Sequence, residues 1–87
     1  MEESGRLDER SQRILDFERT WWMQSGPKER AIRDQFGWSA ARYYQLLNRL
    51  IDTPEAMGHD PMLVKRLRRL RAARRRQRFA RHLGLQN

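Results

Sequence analysis

The stretch IRDQFGWSAARYYQLLNRLI, residues 32–51, decides the fold. Phe36 closes a helical segment, Gly37 can take the left-handed backbone conformation that ends it, and Ser39 can cap a new helix two residues later. The stretch therefore predicts a helix, a tight turn and a second helix. Within that second helix Ala40, Tyr43, Leu47, Leu50 and Ile51 fall on one face at helical spacing, with Leu46 at its edge. The opposite face carries Arg42, Gln45, Asn48, Arg49 and Asp52. In a DNA major groove Arg suits guanine and Gln or Asn suits adenine, so this row has the side chains that read base edges. Arg42, Gln45 and Arg49, with Ala41 and Tyr44 beside them, are the base-reading candidates. Arg and Gln are also common on any helix surface, and the solvated face of an ordinary bundle helix fits the same composition.

Outward from this stretch, the chain has 87 residues, enough for one small domain with a modest core and too short for a multi-site enzyme. It contains no cysteine, which excludes a disulfide framework, a thiolate metal site and a catalytic cysteine. The start, MEESGRLDERSQ, is acidic and polar where a signal peptide needs a basic patch and an apolar run, and no stretch approaches the roughly 20 apolar residues of a membrane span. A soluble, unprocessed, cytoplasmic protein is expected.

The net charge of +8 conceals a division. Residues 1–60 hold 9 Lys and Arg against 11 Asp and Glu, whereas residues 61–87 hold 10 basic side chains and no acid. Such asymmetry points to a polyanionic partner, most commonly nucleic acid.

Residues 1–6 have too few apolar groups to be held and are expected to be disordered. Asp8 suits an N-cap, and Ile14, Leu15, Phe17, Trp21 and Trp22 recur at helical spacings to a first helix ending near Gln24. Trp21 and Trp22 point about 100° apart, so one enters the core while the other closes a flank. Stacking on bases would need both rings exposed. Gly26 stops this helix and Pro27 opens a short second one to Phe36, with Ala31, Ile32 and Phe36 inward and Lys28, Arg30 and Arg33 outward. After the third helix, Thr53-Pro54 starts a single turn, PEAM, before Gly58. Asp60-Pro61 opens the longest helix, in which Leu63, Val64, Leu67 and Leu70 make a stripe against the domain. From Arg71 the stripe fails, with Phe79 and Leu83 as isolated apolar groups among arginines, and this segment is expected to order on binding. The expected architecture is all-α: a small helical bundle containing a helix-turn-helix at 7–70 and a long arginine-rich helix or tail at 71–87. Phosphate contacts are assigned to Lys28, Arg33 and Ser39, and along the last helix to Lys65, Arg68, Arg69, Arg71, Arg74, Arg75, Arg76, Arg78 and Arg81.

The runs FERTWW (17–22), KERAIRDQFGWSAARYYQLLNRLID (28–52) and HDPMLVKRLRRLRAARRR (59–76) resemble a family of short actinobacterial proteins known only as a domain of unknown function. The resemblance implies an actinobacterial source and a helix-turn-helix fold, and carries no biochemical activity. A looser similarity is to the helix-turn-helix of sigma-factor region four and of bacterial repressors. Ile32, Phe36, Gly37, Trp38, Tyr43 and Leu46 stand where that motif has its apolar and glycine positions. One departure is Arg33, where the motif usually has a small residue after the first apolar one; Ala31 precedes instead. The two helices would then cross at a different distance or angle.

His59 and His82 lie far apart, and neither has a second ligand at metal spacing. No Gly-rich loop follows a strand and no Ser sits in a nucleophile elbow, so neither an enzyme nor a cofactor is expected. The leading function is a DNA-binding regulator or chromosome-associated nucleoid protein on double-stranded DNA, acting as a homodimer. A protein that docks on RNA polymerase through the tryptophan-rich face, and RNA binding by the arginine-rich helix, are the alternatives. Residues 71–83 lack the continuous apolar face of a membrane-surface helix.

Overall fold

Asp8 opens the first helix by accepting a hydrogen bond on its carboxylate from the Ser11 amide at 2.8 Å. The computed structural model describes residues 7–82 and 84; the expectations for residues 1–6 and for Leu83 lie outside them. Among the described residues five α-helices follow in order: α1 (Glu9–Thr20), α2 (Lys28–Phe36), α3 (Ala40–Leu50), α4 (Pro54–His59) and α5 (Pro61–His82), with a 3₁₀ turn at Trp21–Met23. No strand occurs among the described residues, and the fold is all-α.

Ile14, Leu15 and Phe17 of α1 are buried, and after Thr20 the chain tightens into the 3₁₀ turn. Tightening changes the angular step per residue from that of an α-helix. Trp21 stays half-buried against the core, whereas Trp22 swings out and is 63% exposed. Of the pair expected to place one ring in the core and the other on its flank, only Trp21 packs against the core, and it is half-buried. Pro27 stands one place earlier than expected, as the N-cap of α2.

Gly37 ends α2 with φ +73° and donates its N–H to the Arg33 carbonyl at 2.9 Å. Ser39 then caps α3 by accepting from the Arg42 amide at 3.1 Å. Tyr43, Leu46, Leu47, Leu50 and Ile51 are buried, and Ala40 is half-buried. Phe36 fixes the angle of the turn, because it packs edge-on to Phe17 at 5.4 Å and flat on Trp38 at 4.9 Å between ring centres.

Thr53 caps α4 and Pro54 occupies its first turn. The helix passes through Gly58 and stops at His59; Asp60 is pushed out of the helical region by the ring of Pro61. Gly58 is thus a helical residue and not the expected stop. Asp60 caps α5 through the Leu63 amide at 3.3 Å. Leu63, Val64 and Leu67 complete the core, whereas Leu70 is 46% exposed and not part of the inward stripe. The boundary expected after Leu70 falls inside α5, which continues unbroken to His82.

Candidate nucleic-acid interface

The outer face of α3 presents Ala41, Arg42, Gln45, Asn48 and Arg49, all exposed. Arg42 reaches Gln45 with Nη1 to Oε1 at 3.5 Å, so the two polar ends stand together at the centre of the row. Arg49 lies to one side, in a shallow groove shared with Arg10 at the start of α1. Arg10 is a cation that the sequence reading did not single out. Arg33 is exposed at the last turn of α2, and the Ser39 hydroxyl is already occupied as a cap.

Beside this row runs α5, and the groove between α3 and α5, about 320 Å³, is lined by Tyr44 and Asn48 from α3 and by Arg71, Arg74, Gln77, Arg78 and Arg81 from α5. These arginines recur at spacings of three and four along one face. Arg71 fixes the groove's width, since it donates to both Asp52 oxygens at 3.1 and 2.8 Å and to the Asn48 carbonyl at 3.2 Å. Arg68 adds a bond of 2.7 Å from Nε to the Ile51 carbonyl. Arg68 and Arg71 therefore anchor α5, and Arg74, Arg78 and Arg81 stand in the groove beyond them. The hydrogen bond from Arg71 holds the Asp52 carboxyl below its ordinary value of 3.8, assisted by the charges of Arg71, Arg68 and Arg75.

The segment expected to lack a tertiary partner from Arg71 onward is in fact tied down at Arg71, and from Ala73 to His82 it is exposed except at Ala80. Lys65, Arg69, Arg75 and Arg76 are exposed on other faces of α5. The segment's basic side chains are thus sorted into anchors, a groove row and an outer set.

Two candidates are placed elsewhere. Lys28 turns inward: its ammonium is 2.9 Å from Oε2 of Glu18 and stands over the rings of Trp21 at 5.2 Å and Tyr44 at 5.0 Å. Glu18 is 4% exposed and accepts a second hydrogen bond from the Tyr43 hydroxyl. Burial pushes the Tyr43 hydroxyl's pKa far up, and Glu18 adds to the shift, so it remains a donor. A carboxylate taken from water needs a cation, and Lys28 is the one within reach, linking α1, α2 and α3. Tyr44 is drawn into the same cluster, half-buried, with Arg74 over its ring at 6.0 Å. It lines the groove and does not stand in the base-facing row. The signal for this cluster lay in α1, where Glu18 shares the apolar face of Ile14 and Leu15 at spacings of four and three.

Among the described residues no group of three His, Cys, Asp or Glu could hold a metal ion, and no helix is long and apolar enough to cross a membrane. His59 and His82 are the exposed last residues of α4 and α5.

These features define a small all-α domain with an exposed polar helix beside an arginine-lined groove. The chain belongs to the family described as "Protein of unknown function (DUF3263)", whose profile matches residues 6–79. No curated protein and no solved structure matches it.

Proposed function

We propose that this is a DNA-binding protein, a transcriptional regulator or chromosome-associated protein, in which α3 enters the major groove while the basic half of α5 lies on the flanking phosphates. The observation that carries the reading is that the exposed row of α3 meets the arginine-lined groove at Asn48, which belongs to both. Arg42 and Gln45 stand exposed on α3, and Arg74, Arg78 and Arg81 line the groove that runs beside it. On this reading α2, the turn at Gly37 and α3 act as a helix-turn-helix similar to that of sigma-factor region four, with Arg33 at the helix crossing as its departure. Arg42 and Gln45 read bases, Arg49 and Arg10 flank them, and a homodimer meets two half-sites. The actinobacterial source and nucleoid address go with it.

Titration of duplex DNA against salt tests the proposal. With about 5 to 7 phosphates engaged, log K falls against log salt with a slope near −5 to −6. A slope near zero, or complete displacement by an equal mass of structured RNA, would remove duplex DNA as the partner.

A further inference from the structure

Between the 3₁₀ turn at Trp21–Met23 and α5 lies a second groove, of about 170 Å³, whose walls include Trp21, Trp22, Leu67 and Leu70. Its apolar lip is open, since Trp22 and Leu70 are both exposed. The Trp22 ring is nevertheless fixed, because its Nε1 donates to the Arg19 carbonyl at 2.8 Å. With its polar atom satisfied by the protein's own backbone, the ring offers a rigid apolar surface. Arg66 and Arg74 stand at the rim, exposed and without a carboxylate partner among the described residues. The groove's own acid, Glu18, is buried and bound to Tyr43 and Lys28. The site combines an apolar wall of Trp21, Trp22, Leu67 and Leu70 with a cationic edge, and has room for one large side chain.

We propose that this groove docks an acidic segment of another protein, seating one large apolar side chain against Trp22 and Leu70 and placing its carboxylates on Arg66 and Arg74. Charge decides the occupant. A second copy meeting this face about a two-fold axis would bring α5 against α5, and residues 61–87 carry ten basic side chains and no acid. An acidic chain meets both requirements of the groove at once. The proposal does not rest on what α3 reads, and it shares Arg74 with the arginine row of the first groove.

The test uses the full chain and two short fluorescein-labelled peptides of Asp and Glu, one with a central Phe and the other with Ser in its place, followed by anisotropy at fixed salt. Burying one aromatic side chain predicts that the Phe peptide binds at least about ten-fold tighter. Trp22→Ala and, separately, Leu70→Ser should abolish that preference and leave the Ser peptide's affinity unchanged, while Arg66→Glu weakens both peptides. Both apolar residues are exposed, so melting temperature should hold in either variant. Equal affinity for the two peptides, or a Phe preference that survives both variants, overturns the proposal. So does Trp22-dependent self-association in sedimentation, which would assign the groove to a second copy, or Trp22-dependent binding to phosphatidylglycerol vesicles without a Phe preference, which would assign it to a membrane surface.

Discussion

Lys28→Met separates two roles for one side chain. If Lys28 neutralises Glu18, its removal leaves a carboxylate that is 4% exposed with only the Tyr43 hydroxyl as partner. Breaking a buried ion pair from one side costs about 3 to 5 kcal/mol. The Lys28 side chain retains 18% exposure, so water reaches the cluster and the lower end, about 3 kcal/mol, is expected. For a domain of this size that lowers Tm by roughly 12 to 24 °C. A second substitution, Glu18→Gln, removes the stranded charge, and the double variant should recover most of the loss. Thermal unfolding by circular dichroism near neutral pH reads both numbers. A Lys28→Met protein that melts within a few degrees of the parent and loses about one unit of salt slope on DNA would refute the structural role and return Lys28 to the phosphates.

Gly37→Ala should cost about 1 kcal/mol and Gly37→Val about 2, measured by urea unfolding; no atom lies within 4 Å of an added Cβ, so the cost is that of φ +73° alone. An unchanged midpoint would mean that the turn relaxes freely. In acid, the Asp8 and Asp52 carboxyls are held below their ordinary value by hydrogen bonds from Ser11 and Arg71; for Asp60, burial raises the value but Arg19 and the Leu63 amide outweigh it. Depressed carboxylates stabilise above their unfolded pKa and lose that contribution as pH falls through the folded value, so Tm should decline below about pH 4, and Asp52→Asn should shrink the decline. Truncation after Ala73 keeps Arg71 and the buried Leu63, Val64 and Leu67, so the domain should stay folded while the DNA salt slope flattens by about 3 to 4.5; unfolding would make the last turns part of the core.

Local backbone chemistry was legible in the sequence. Gly37, Ser39, Asp8 and Thr53 act through their own φ or through an amide a few residues on, so their roles need no knowledge of the rest of the chain. Periodicity likewise gave the inward face of α3. It could not say how far along α5 the body extends, and Leu70 continues the stripe past the last residue that covers it. Lys28 looked like any exposed cation because its partner is ten residues away on another helix. Trp22 left the core because a 3₁₀ turn replaced the last α turn, a change that alternation of apolar residues does not record. The division of the basic segment into anchors and a groove row follows from Asp52, whose reach to Arg71 depends on the angle between α3 and α5.

In the proposed DNA complex α3 reads sequence while α5 holds the backbone. The direct measurement is the ratio of affinities for the best site and for random duplex, titrated at one salt concentration, with circular dichroism confirming that each variant is folded. Base contacts discriminate by about 1 to 3 kcal/mol each, so Arg42→Ala with Gln45→Ala should collapse the ratio. Loss of Arg74, Arg78 and Arg81 should weaken both affinities and leave the ratio nearly intact, because phosphates are alike in every sequence. A double variant of Arg42 and Gln45 that keeps the parent's ratio would contradict the account.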